Sequence, residues 1–265
     1  MNIQKKTIST VMLCGIAILA AGCGGPKWTC RQVSEQLAVS ENTAIRPVSR
    51  LALNWWAERH NAVNARVQQG NVDLLLIGDS ITHGWDEHPQ LWDAYFGYWN
   101  TVNAGFSGDR TQHVLWRLEN GNIEGISPRV AMIMIGTNNS NGNEYTAEEI
   151  AEGVAAIVCK LKTQLPQTKI VILSIFPRGS KEQRDNPSAD AVMNPQWAKN
   201  DKANQLISRL ADDNRVFYLN INNVFLDDQG VLRREIMPDL LHLSPAGYAR
   251  WGQAVLPTLE KLMAK

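Results

Sequence analysis

The sequence has no run of lysine or arginine, and its 26 basic residues are matched by 26 acidic ones, for a formal net charge of zero. That removes the electrostatic signature of a nucleic-acid binder or of a protein drawn to anionic membrane surfaces. No repeat or low-complexity tract interrupts the chain. The apolar segment from about Val11 to Ala21 is shorter than the roughly 20 residues that span a bilayer. Histidine is sparse, and His83 and His88 have no carboxylate or cysteine at metal-ligand spacing, so they are read as loop residues and neither metal nor cofactor is expected. With 44% hydrophobic and 20% charged residues over a length of 265, what remains is an ordinary globular composition, long enough for one α/β domain with a full core.

Cysteine is also scarce, four in all, and the positions matter. Lys5 and Lys6 precede the apolar segment, which ends in Leu19-Ala20-Ala21-Gly22-Cys23 and resembles a bacterial lipobox. Residues 1–22 are therefore read as a lipoprotein signal peptide, with Cys23 acylated as the mature N-terminus. The exported chain would be lipid-anchored to the bacterial cell envelope, at the outer membrane if the organism has one. Cleavage would remove two lysines and no acid, leaving the chain slightly acidic. Cys30 and Cys159 would then sit in an oxidising compartment, where pairing is open to them. Cys159 lies in the apolar helical stretch Ile157-Val158-Cys159, where a buried free thiol is the commoner state and is the one expected.

Residues 23–48 are polar without a sustained period and are read as a tether with a short helix near Arg31 to Ala38; the domain is expected over 49–265. A helix over Leu51 to Gln69 precedes the apolar run Val72 to Ile77, which reads as a buried strand closed by Gly78. Further strands are predicted at Trp99 to Ala104, Arg129 to Ile135, Lys169 to Phe176 and Arg215 to Ile221. Helices alternate with them at His88 to Phe96, Arg110 to Asn120, Ala147 to Leu165 and Trp197 to Asp212. Residues 180–196 read as a loop, and a last helix from Pro245 to about Leu262 is expected to kink at Pro257. Alternation of this kind implies a parallel sheet with helices on both faces, a three-layer α/β/α sandwich with five strands.

Polar groups collect in the turns at the carboxyl ends of these strands. They are Gly78-Asp79-Ser80, Gly105-Phe106-Ser107-Gly108-Asp109, Gly136-Thr137-Asn138 and, in a later loop, Asp239-Leu240-Leu241-His242. From its pentapeptide alone, Ser80 reads first as a residue that merely caps a helix. The four blocks in this order resemble the SGNH (GDSL) esterase and acylhydrolase family over about residues 50–262. Within it the likeness is to the branch of platelet-activating-factor acetylhydrolase catalytic subunits and bacterial acetyl esterases. Val114-Leu115-Trp116-Arg117-Leu118, Pro177-Arg178-Gly179 and Leu243-Ser244-Pro245-Ala246-Gly247-Tyr248 share in it. No Gly-x-Ser-x-Gly elbow surrounds Ser80, which argues against the α/β-hydrolase fold. The resemblance implies a flavodoxin-like sandwich, and in some relatives a homodimer formed through sheet-flanking helices.

Acyl transfer needs a nucleophile, a base, a group that orients the base, and donors for the oxyanion. By resemblance these are Ser80, His242, Asp239, and the backbone N–H groups of Ser80 and Gly108 with the Asn138 side-chain amide. Ser107 stands where the animal enzymes carry glycine. Asp79, Trp85 and Arg178 are the expected substrate contacts. Nine tryptophans, a polar insert at 180–196 and the lack of an apolar lid point to removal of short acyl groups, acetyl foremost, from a glycan or other polar alcohol. A lysophospholipase or thioesterase with a longer acyl pocket, and a carbohydrate-binding lipoprotein without catalysis, are the alternatives.

Overall fold

The structure is a computed structural model that describes residues 29–264, so the expected signal segment and Cys23 lie outside the described residues. Strands β1 (Leu74–Gly78), β2 (Thr101–Gly105), β3 (Val130–Met134), β4 (Lys169–Leu173) and β5 (Val216–Leu219) form one parallel sheet in the order β2-β1-β3-β4-β5. Every residue of β1 and β3 is buried. These strands are covered on both faces, and so they read as unbroken apolar runs rather than as alternating patterns. Each strand is a residue or more shorter than expected: β1 and β2 begin two residues late and run into the glycines of their polar turns, whereas β3, β4 and β5 end before theirs.

The helices are α1 (Cys30–Val39), α2 (Asn54–Gln68), α3 (Ser80–His83), α4 (Pro89–Phe96), α5 (Thr111–Glu119), α6 (Ala147–Gln164), α7 (Lys181–Asp185), α8 (Pro195–Ile207) and α9 (Pro245–Met263). Leu75, Ile77, Ala131 and Ile133 pack with α2, α5 and α6 on one face of the sheet. Leu74, Leu76, Val130 and Met132 pack with α4 and α9 on the other. This is the expected three-layer sandwich, and successive side chains of one strand serve the two cores in turn. Strand order runs outward from β1 in both directions, which opens a crevice at the carboxyl ends beside it.

Local chemistry sets the helix ends. Thr146 and Glu149 form a capping box on α6, with Glu149 N donating to Thr146 Oγ1 at 3.2 Å and Thr146 N to Glu149 Oε2 at 2.7 Å. Asn194 accepts from the backbone N–H groups of Gln196 and Trp197, so α8 starts at Pro195, earlier than its apolar pattern implied. The last helix, α9, runs through Pro257 without interruption. Pro257 and Gln253, the residue whose carbonyl loses its helical partner to the proline, are both exposed. Residues 180–196, expected as loop, contain the short helix α7, capped by Ser180.

Two expectations about the N-terminal region need correction. Cys159 is not a free thiol: it forms a disulfide with Cys30, at a Cα–Cα distance of 5.3 Å. The face of α6 that carries Cys159 is turned toward α1 rather than toward the sheet, and α1 packs along it. The polar stretch that follows is docked as well. Asn42 Nδ2 donates to Glu149 O and Glu152 Oε2, both at 2.9 Å, and Thr111 Oγ1 donates to the carbonyl of the buried Ala44 at 2.7 Å. Single side-chain and backbone bonds hold this segment, which is why no periodicity announced it.

Candidate active site

Ser80 is the first residue of α3, directly past β1, and Asp79 caps that helix by accepting from Ile81 N at 3.0 Å. The turn is tight enough to need glycine on two adjacent strands. A Cβ on Gly78 would lie 2.6 Å from the Met134 carbonyl, and one on Gly105 would lie 2.6 Å from the Thr82 carbonyl carbon. Gly78 and Gly105 face each other in register, so α3 sits down on both strand ends at once.

Ser80 Oγ lies 2.9 Å from His242 Nε2, and His242 Nδ1 lies 2.8 Å from Asp239 Oδ2. The three groups therefore stand in one line. Asp239 and His242 come from a single turn, closed by Leu241 N and His242 N donating to Asp239 Oδ1 at 3.0 and 2.7 Å. The turn passes through Leu240 at φ +56°, and the Leu240 side chain is buried. Burial pushes the Asp239 carboxyl up, but the ring and backbone donors of His242 outweigh it and hold the group well below the usual carboxylate range. Arg184 Nε donates to the Asp239 carbonyl at 3.0 Å from the solvent side.

Across the crevice, Gly108 occupies an exposed turn at φ +74°, a conformation that glycine takes without strain. Asn138 follows β3, and its Nδ2 donates to the Asp109 carbonyl at 2.9 Å, which fixes the amide plane and leaves its second N–H to point elsewhere. The Asp109 side chain turns inward and is fully buried. Its carboxylate accepts from Trp56 Nε1 at 2.8 Å, Arg117 Nε at 2.8 Å and Arg50 Nη1 at 3.2 Å. Arg117 is buried too, with its guanidinium 3.9 Å from the centroid of the Phe106 ring and its Nη1 donating to Asn122 Oδ1 at 2.7 Å.

A cleft of about 350 Å³ opens at Ser80 and is lined by His83, Glu87, Ser107, His242 and Tyr248 among others. His83 Nδ1 lies 2.9 Å from Ser107 Oγ. Larger clefts beside Arg233 and Arg250, and beside Trp197 and Tyr218, contain no paired nucleophile and base. Among the described residues no group of three or more His, Cys, Asp and Glu side chains is placed to hold a metal ion.

The expected substrate contacts are corrected. Trp85 has no exposed surface and packs among Phe96, Tyr248 and Trp251, with ring centroids 4.8 to 5.3 Å away. Arg178 is buried behind the site and donates to Thr137 O and Oγ1 at 2.9 and 3.0 Å. Asp79 is buried beneath Ser80, and desolvation pushes its carboxyl up to about 7. Sequence reasoning missed the group formed by Asp109, Arg117 and Trp56. Its signal was present, since Arg117 stands one helical turn from Val114 on the face that Val114 and Leu118 turn inward, where a lone charge demands a buried partner.

A family model described as the GDSL-like Lipase/Acylhydrolase family matches residues 76–250. Human platelet-activating factor acetylhydrolase IB subunit alpha2 is 37% identical over 199 residues, which is 74% of this chain and 79% of that protein. A solved structure from Streptococcus pneumonia is 26% identical with a TM-score of 0.63, covering 79% of this chain and 97% of its own. A catalytic variant of Axe2, an acetylxylan esterase from Geobacillus stearothermophilus, shares the fold at 19% identity and a TM-score of 0.54, covering 72% and 94%.

Proposed function

This chain belongs to the GDSL-like lipase/acylhydrolase family and is a serine esterase of that family, and we propose that it removes short acyl groups, acetyl foremost, from a glycan or similar polar alcohol. Ser80 attacks the ester carbonyl while His242 takes its proton. Asp239 holds the imidazole with Nδ1–H toward itself, leaving Nε2 bare for the serine hydroxyl. The tetrahedral oxyanion is met by the backbone N–H groups of Ser80 and Gly108 and by the free N–H of the Asn138 amide. Collapse returns the proton from His242 to the leaving alcohol, and water repeats the sequence on the acyl-enzyme. The observation that carries this reading is the unbroken line from Ser80 Oγ through His242 to Asp239 Oδ2 at 2.9 and 2.8 Å.

Support for acetyl comes from the acetylhydrolase relative at 37% identity. Support for a polar alcohol comes from the lining of the cleft, where Glu87 and Ser107 stand beside the leaving-group acid His242. Hydrolysis of nitrophenyl esters from acetyl to dodecanoyl, run beside acetate release from acetylated xylan with Ser80→Ala as blank, tests the reading. A maximum at eight carbons or more with the glycan untouched would transfer the case to a lipase-like activity.

Export with lipid attachment at Cys23 is part of the same proposal. The Cys30–Cys159 disulfide supports an oxidising compartment. Among the described residues no helix is long and apolar enough to cross a membrane. Cys23→Ser protein that stays with the membrane fraction as the parent does would end this part of the proposal.

A further inference from the structure

We propose that the Ser107 hydroxyl, held by His83, is the hydrogen-bond acceptor that reads a free hydroxyl on the alcohol half of the ester. The inference rests on the reading of Ser80 as nucleophile and adds a specificity-determining residue to it.

Ser107 and His83 belong to neighbouring polar turns, one after β2 and one at the end of α3, and both line the cleft at Ser80. His83 is fixed from several sides. Its Nε2 lies 3.8 Å from Asp86 Oδ2, and its ring stacks near Trp55 at an interplanar angle of 18°. Asp86 is itself fixed by Arg59 Nη1 and Asn103 Nδ2, each donating at 2.7 Å. Burial, then the nearby Arg59 guanidinium, lowers the pKa of His83, so the ring is neutral at pH 7. A neutral ring carries one N–H, and the Asp86 carboxylate favours it on Nε2. Nδ1 is then the bare nitrogen, and the Ser107 O–H donates to it across 2.9 Å.

A serine whose proton is spent in this way presents only lone pairs to the cleft. It can accept a hydrogen bond but has none to give. Glu87, on the same cleft wall, is an acceptor of the same kind. The half of the substrate that lies beside His242 is the alcohol, since His242 returns the proton to the leaving oxygen. A cleft lined with acceptors suits an alcohol with spare O–H donors, such as a sugar or another polyol, and gives nothing extra to a simple alkanol. Backbone placement at Ser107 is secured separately, through Arg50 Nη1 donating to its carbonyl at 2.8 Å, so the side chain is free for this role.

The test compares kcat/KM for glycerol 1-monoacetate with that for n-propyl acetate, two esters with the same acyl group whose alcohols differ in hydroxyls. Loss of one neutral hydrogen bond should lower this ratio about three- to tenfold in Ser107→Ala, whereas Ser107→Thr, which keeps the hydroxyl, should hold it near the parent value. Damage to folding or to the oxyanion loop affects both esters alike and cancels in the ratio. An unchanged ratio in Ser107→Ala, or an equal fall in Ser107→Thr, overturns the inference. So does a loss confined to ethyl glycolate against ethyl acetate, which would put the recognised hydroxyl on the acyl side. Failure of the broader reading shows elsewhere, as propyl acetate turnover that survives Ser80→Ala or as acetylated xylan left intact by the parent enzyme.

Discussion

The two walls of the crevice are built in opposite ways. On one, the Gly108 turn stands on Asp109 and Arg117, both with side chains of 0% exposure, tied to each other, to Trp56 and to Arg50. On the other, Asp239 and His242 are each 45% exposed, and a four-residue turn aligns them with its own backbone donors. The first wall draws its geometry from the core of the protein. The second needs little more than its own local chemistry, with Leu240 as its anchor. Damage to the first should therefore appear as lost stability, and damage to the second as lost turnover with the fold intact.

Asp239→Asn is the sharpest test on the exposed wall. It keeps the Oδ1 acceptor for the two backbone donors but disturbs the imidazole tautomer, and kcat should fall by about four orders of magnitude with the melting temperature little changed. Arg117→Ala breaks the buried wall by taking from the Asp109 carboxylate its one fully buried cation, leaving only the Trp56 N–H and the longer contact to Arg50, at a cost of about 3–5 kcal/mol, read from denaturant unfolding. If that variant is as stable as the parent, the contrast between the walls collapses. Asn138→Ala stands between the two: with the Asn138 amide in its proposed role at the oxyanion, its loss costs about 2.7–4 kcal/mol of transition-state stabilisation. Its kcat should drop a hundredfold or more, while KM and the unfolding midpoint move little.

A smaller effect comes from Asp79 beneath Ser80. Its folded pKa of about 7 lies above the ordinary carboxylate value. The folded state thus holds this proton more tightly, and the associated stability is full below about pH 4 and lost as pH rises through about 7. Asp79→Asn retains the cap acceptor without the titration, so the melting temperature of the parent should fall relative to the variant between pH 4 and 8. Parallel curves would show that Asp79 does not titrate in this range. Smallest of all, Arg184→Ala removes two partly exposed contacts to Asp239, from Nε to the carbonyl at 3.0 Å and from Nη2 to Oδ2 at 3.4 Å, and should change stability by about 1 kcal/mol.

What the sequence disclosed follows the same division. Strands β1 and β3 were legible because burial on both faces leaves apolar runs, and the polar turns were legible because glycine marks a tight strand end. Asp239 and His242 stood out as a short-range motif, the kind of information a linear reading handles well. Arg117 signalled a buried charge by its place on an inward helix face, but its partner Asp109 was hidden, since two charges eight residues apart acquire meaning only when a loop and a helix fold over Phe106. Trp85 was misjudged for a related reason: nearness to Ser80 in sequence says nothing about which side of α3 a ring takes. Cys159 was misread because an apolar neighbourhood does not reveal which helix face meets the sheet and which meets α1.

The disulfide also decides where a mechanical load would travel. Cys30 and Cys159 are 129 positions apart, and the stretch between them contains β1, β2, β3, Ser80, Gly108 and Asn138. Tension applied to the chain ahead of Cys30 would pass through the sulfur atoms directly into α6. Ser80 and the turns around it would lie in a branch shielded from the pull while the bond is intact, and with the bond reduced only the noncovalent docking of α1 and Asn42 on α6 would stand between them and the load.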